Sequence, residues 1–206
     1  MASPSRLLLI RHAQSPHNLD ARLVSATATG LTPLGVRQAE WLAVHVAGTW
    51  RLGALYASTM DRARRTAEVV AARTGLAVRL ADDLREWDFG DCEGLTTEEI
   101  EARYPGQLTV RPARDDLTWG WPGGETRAVF YARARRAIGD LARRHPAQTV
   151  AVVSHNGLLT SFLAQTIDGV TWTHPQHDLG HCALAEVEVD DGTVRLVRRV
   201  DCAVVD

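Results

Sequence analysis

Leu7-Leu8-Leu9-Ile10-Arg11-His12 sets four aliphatic residues in a row and then, without transition, a guanidinium and an imidazole. Val150-Ala151-Val152-Val153-Ser154-His155 does the same near the other end of the chain. A short unbroken aliphatic run reads as a strand buried on both faces, the usual state of a central strand in a parallel sheet. In such sheets ligands bind at the rim where the strands end. The two runs therefore predict an α/β fold with two imidazoles, one beside an arginine, delivered to the ligand-binding rim.

The chain of 206 residues has the size of one domain, read here as residues 1–206, and can bury roughly 70% of its unfolded surface without a disulfide or metal staple. A net charge of −2 gives no electrostatic footprint for nucleic acid or an anionic membrane. All 23 basic residues are arginine, which excludes a lysine nucleophile or Schiff base. Cys92, Cys182 and Cys202 are odd in number and far apart, and this argues against a disulfide framework or a thiolate zinc site. With no signal-like apolar stretch at Met1–Arg6 and no membrane-length run later, a soluble cytoplasmic protein is expected.

Between the two histidine strands the pattern alternates strand and helix. Thr32-Pro33 opens a helix to about Gly48, and residues 52–57 form a strand. Ser58 is expected to cap a helix that stops at Gly75. A brief strand at 77–80 leads into the loop 84–94, and Thr96 with Glu99 makes a capping box for a helix ended by Pro105-Gly106. Residues 104–125 read as a long loop, 126–144 as a helix, and 158–167 as another. Alternation around Asp191-Gly192 over 186–200 is a hairpin signal, so the sheet is expected to be mostly parallel with an antiparallel edge.

Four groups stand out chemically. Arg11 can fork two N–H bonds onto a phosphate or carboxylate, and neutral His12 has a ring nitrogen able to attack phosphorus. Arg62 falls in the first turn of a helix after a strand end, where backbone N–H groups also favour an anion. Glu86, flanked by Trp87 and Phe89 as sources of desolvation, is a candidate proton donor, with Glu93 as the rival. His174, His177 and His181 have zinc-like spacing, but Pro175 and Gly180 break any helix that would align them and a fourth ligand is lacking. No metal or other cofactor is expected.

Together these segments resemble the histidine phosphatase superfamily, the phosphoglycerate mutase-like proteins, in its short-chain phosphatase branch. Its Arg-His-Gly-x-Thr opening with a later Asn is matched by Arg11 to Ser15 and Asn18. Its Leu-Thr-x-x-Gly-x-x-Gln-Ala segment is matched by Leu31 to Ala39, and its Ser-x-x-x-Arg-Ala-x-x-Thr-Ala segment by Ser58 to Ala67. Leu84-Arg85-Glu86 with Phe89-Gly90, Pro122 to Thr126, and Val153-Ser154-His155 complete the order. Six such segments in sequence are specific where any one is weak.

The resemblance implies a three-layer α/β/α sandwich and a phosphohistidine mechanism. His12 would be the nucleophile and Glu86 the general acid and base. Arg11, Arg62, His155, Asn18 and Asn156 would hold the phosphoryl oxygens. His17, Ser25, Trp119, Trp121 and His181 would meet the rest of the substrate, with 104–125 covering it. Arg111 or Arg114 would meet a second anionic group, and Trp119 and Trp121 either stack on a substrate ring or anchor the loop to the core. Departures are Ala13 for glycine, strained if the turn needs positive φ, Ser15 for threonine, Asn156 for glycine, and Cys92 for an aromatic. None removes a charged group, so activity is expected to survive. Hydrolysis of a small phosphorylated metabolite such as a sugar phosphate is favoured over a mutase, whose added basic motifs are not matched, and over a non-catalytic phospho-ligand module. Nothing in the sequence indicates an oligomer.

Overall fold

The computed structural model describes residues 4–19, 22–24, 30–109, 113, 116–170 and 175–204. Strands β1 (Ser5–Arg11), β2 (Leu52–Ser58), β3 (Val78–Ala81), β4 (Thr149–Ser154), β5 (Leu184–Asp190) and β6 (Thr193–Val200) form one sheet in the order β3-β2-β4-β1-β5-β6. β1 to β4 pair in parallel, while β5 is antiparallel to both β1 and β6. The turn between β5 and β6 places Asp191 and Gly192 at φ 44° and 80°, the doubly left-handed conformation that matches strand twist in a two-residue hairpin.

Side-chain alternation along β1 divides the core. Leu8 and Ile10 pack with α1 (Pro33–Thr49) and α2 (Asp61–Thr74), whereas Leu7 and Leu9 pack with α4 (Arg127–Arg144) and α5 (Asn156–Leu163). Helices thus cover both faces, giving three layers; α3 (Thr97–Arg103) follows the Glu86 loop. The helix after β1 joins one face and the helix after its neighbour β4 joins the other. Where adjacent parallel strands send their chains to opposite faces, a crevice opens beyond their ends.

The register fixes what lies there. Arg11 pairs with Ser154, so the next residues, His12 and His155, emerge side by side. Thr32 caps α1 through Gly35 N–H, and Thr96 with Glu99 forms the expected capping box. Gly35 has no room for a side chain, since a Cβ would lie 2.0 Å from the Gln14 carbonyl; α1 packs directly on the loop after His12.

Two local expectations are corrected. Ser58 is not the cap of α2; Met60 occupies that position without a side-chain cap, and Ser58 Oγ accepts from Met60 N–H while facing His155. The helix expected at 158–167 begins at Asn156 and ends at Leu163, the remainder winding as a wider π turn over Ala164–Asp168.

Candidate active site

His12 is 3% exposed, and both ring nitrogens are assigned by their partners. Nδ1 lies 2.7 Å from the carbonyl of Ala13, which only accepts, so Nδ1 carries the proton. Nε2 receives Nε–H of Arg62 at 3.1 Å and therefore holds the lone pair. Burial, joined by the charges of Arg62 and Arg11, pushes the pKa of His12 well below the usual imidazole value, against the hydrogen bond to Ala13. The ring is neutral at pH 7, the state a nucleophile requires.

Ala13 is fully buried, and its φ is not positive, so the strain that a methyl group would suffer in a left-handed turn does not arise. Its N–H donates to Thr66 Oγ1 at 3.0 Å, tying the loop to α2.

Arg62, 6% exposed, also donates from Nη2 to the Val24 carbonyl at 3.1 Å. Arg11 donates from Nη1 to the Leu179 carbonyl at 2.7 Å, and its buried Nε has no partner. His155 is fully buried behind His12, with ring centroids 5.1 Å apart. Its Nε2 lies 2.9 Å from Ser58 Oγ, and Nδ1 is unpartnered. Burial first, then Arg62 and His12, pushes its pKa well below the usual value. His181 stacks obliquely 5.8 Å from His12, and burial with the Arg11 charge brings its pKa down to about 4.

Glu86 reaches this group from the loop after β3. Its two oxygens accept from Trp87 N–H and Gly157 N–H, each at 3.0 Å. A Cβ on residue 157 would sit 2.3 Å from the carboxylate, so glycine is what lets the start of α5 receive it. Arg133 on α4 holds the loop, donating to the carbonyls of Asp83, Arg85 and Glu86 at 2.7 to 3.1 Å while paired with Glu125 at 2.6 Å. Ser154 Oγ donates to Leu84 O at 2.7 Å, anchoring the same loop to β4.

Arg11, His12, Arg62, Glu86 and Asn156 line a cavity of about 150 Å³ together with Ser15, His17, Asn18, Arg22, Leu23, Val24 and Phe89; His155, fully buried beside His12, is not among the lining residues. Asn18 reaches the wall, but its Oδ1 accepts from Ser15 N–H and Oγ–H, both at 2.9 Å. Asn156 spends its side chain on Asp178 and Leu179 N–H, at 3.1 and 2.9 Å.

Several expected placements are corrected. Trp119 and Trp121 do not line the cavity; they pack edge-on against each other and Trp87, with Arg127 over Trp119 at 4.8 Å. The tryptophans thus anchor the loop to the core. Trp87 itself stacks on Phe130 at 4.7 Å, so its ring is committed to the core instead of shielding Glu86; Phe89 alone of the two flanking aromatics lines the cavity. His181, close as it is to His12, lines a neighbouring cavity with Gln14 and Gln38. His177 bonds Asp168 at 2.7 Å, away from any triad with His181. Ser25, Arg111, Arg114 and His174 lie outside the described residues. Among the described residues there is no cluster fit to hold a metal ion and no helix long and apolar enough to cross a membrane.

Sequence reasoning missed Arg22, Leu23 and Val24 of the wall and the positioning roles of Ser58 and Arg133. Ser58 stood within a matched segment, a usable signal. Arg133 gave none.

A family model described as the histidine phosphatase superfamily (branch 1) matches residues 7–202. Glucosyl-3-phosphoglycerate phosphatase of Mycobacterium tuberculosis is 35% identical over 167 residues, 77% of this chain and 74% of that protein. Phosphoserine phosphatase 1 of Hydrogenobacter thermophilus is 32% identical over 150 residues, 73% of this chain and 70% of that one. Among solved structures, a mycobacterial glucosyl-3-phosphoglycerate phosphatase is similar with a TM-score of 0.81 at 30% identity, covering 97% of this chain and 99% of its own.

Proposed function

This chain belongs to the histidine phosphatase superfamily, and from that premise we propose how its own residues hydrolyse a phosphate monoester. The protein is a phosphatase of small phosphorylated metabolites. The observation that carries the assignment of roles is the state of the cavity floor. A neutral imidazole there has a defined lone pair, and buried donors around it lack partners.

His12 Nε2 attacks phosphorus in line, and the ester P–O bond breaks. Arg62 releases Nε2 and turns its fork to the phosphoryl oxygens, joined by Nε of Arg11. In this reading Ser58 Oγ, which accepts from Met60 N–H, donates its own O–H to Nε2 of His155, and Nδ1 of His155 bears the proton and is a further donor. Positive charge from two guanidinium groups takes the place a metal ion would fill, acting where charge spreads in the transition state. Glu86, which must enter this step protonated, gives its proton to the departing oxygen and is left as the carboxylate. It then takes one from the water that splits the N–P bond, releasing inorganic phosphate. Asn18 shapes the loop, and Asn156 offers backbone at the start of α5.

Rapid-quench trapping tests the intermediate. Phosphate should remain on His12 after alkaline quench and be lost in acid, the signature of a phosphoramidate; a turnover-competent protein with no such adduct contradicts the mechanism. Glu86→Gln separates the acid role. It should slow alkyl phosphates by about 10²-fold and p-nitrophenyl phosphate much less, because an acidic phenol leaves without protonation. Equal losses on both would remove Glu86 from that role.

The family match over 7–202 and the single sheet support one domain. The cytoplasm is the proposed setting, supported by three unpaired thiols. The two relatives are named for different substrates, so the preferred metabolite here is set by the cavity mouth, with sugar phosphates as the leading class.

A further inference from the structure

From floor to mouth the cavity changes character. His12 and Arg62 are almost fully buried, Glu86, Phe89 and His17 are half-buried, and Arg22 is exposed. His17 lines the same cavity as the nucleophile, where the alcohol part of a bound ester is to be held.

His17 is the middle residue of the 3-10 turn Pro16–Asn18, directly after the loop that carries the nucleophile. Neither of its ring nitrogens has a hydrogen-bond partner, and both are screened from solvent. A neutral imidazole carries one donor and one acceptor, and buried polar groups are ordinarily satisfied. Of the other unpartnered nitrogens around the nucleophile, Nε of Arg11 and Nδ1 of His155 serve a ligand oxygen in the proposed mechanism, while Nε2 of His181 belongs to a residue that lines the neighbouring cavity. His17 does not take part in that mechanism, so its unmet capacity calls for a different ligand atom.

Resting on the phosphatase reading above, we infer that His17 is a specificity-determining residue that binds a hydroxyl group of the leaving alcohol, so that phosphate esters of polyols or sugars are preferred over plain alkyl esters. A hydroxyl both donates and accepts. As the ring stands neither nitrogen is exposed to the cavity, so binding requires a rotation of the ring that presents one of them, and a hydroxyl can serve as partner to either. An alkyl chain in the same place leaves both nitrogens unsatisfied. Sites built to bond a substrate hydroxyl reject the analogue lacking it more strongly than apolar pockets reject an added one.

Glycerol 3-phosphate and n-propyl phosphate share a three-carbon leaving group and differ in its hydroxyls. The wild-type ratio of kcat/KM should favour glycerol 3-phosphate by about 30-fold. In His17→Phe the ratio should fall to within about 3-fold, while His17→Gln, which keeps a donor and an acceptor, should retain most of it. If turnover is too slow to measure, the ratio of their inhibition constants against p-nitrophenyl phosphate hydrolysis reads the binding part of the preference, and it should fall in His17→Phe likewise. A wild-type protein that treats the two alike, or a His17→Phe ratio that stays high, overturns the inference. Equal losses on both substrates do so too, since they mark a merely structural residue. A wild-type protein inert toward both esters and toward p-nitrophenyl phosphate overturns the phosphatase reading, and this inference with it.

Discussion

His12→Ala is expected to lower kcat toward p-nitrophenyl phosphate by at least about 10⁴-fold, with no phosphoenzyme on quenching. The mutation removes the imidazole whose lone pair is held by a buried guanidinium in the cavity lining. Water in the vacated space is a far weaker nucleophile and lacks the fixed line of attack. The fold should survive, because the His12 side chain bonds only the adjacent Ala13 carbonyl and Arg62, leaving the core clusters on both faces of the sheet untouched. Thermal unfolding recorded alongside turnover separates loss of chemistry from loss of structure. Retention of even one hundredth of the activity in a folded His12→Ala protein would transfer the nucleophile to another residue.

Arg62→Ala should cost about 10³-fold in kcat/KM and also change the pH profile. In the proposed mechanism the guanidinium holds the phosphoryl oxygens, and in the structure its Nε–H occupies the lone pair of His12 Nε2. Lysine is not expected to replace it, since a point charge cannot address Nε2 and two oxygens with a planar fork. The direction of the pH effect follows from His12, whose pKa is pushed down by burial first and by the Arg62 charge next. Wild-type kcat/KM should therefore hold as pH falls through 6.5 and be lost only below it. Removing the Arg62 charge raises the His12 value, so the protonated, inactive ring persists to higher pH and the acid limb moves upward. A limb that stays in place in Arg62→Ala, with activity large enough to titrate, would show that another group controls it.

The central strands were legible because a strand buried on both faces has to be aliphatic throughout, and its end has to be abrupt. The caps at Thr32 and Thr96 were legible because a cap is a local bond within a few residues. Ser58 was misassigned for the same reason: a serine before a helix reads as a cap, whereas here its hydroxyl serves a histidine 97 residues later. Arg133 could not be singled out. Along α4 it is one arginine among several, and its work is done on carbonyls of a loop about fifty residues earlier. The tryptophans of the 104–125 segment were equally ambiguous, since a large ring after a loop serves a ligand or a core with the same composition.

On the mechanism proposed above, the hydrogen bond from Arg62 to Nε2 of His12 has a kinetic meaning. At rest the guanidinium latches the lone pair, so the imidazole is shielded from stray electrophiles. An oxyanion that draws the guanidinium away arms the nucleophile in the same movement. Capture and activation are then a single event, and the phosphate left at the end of each cycle holds the latch open until it departs.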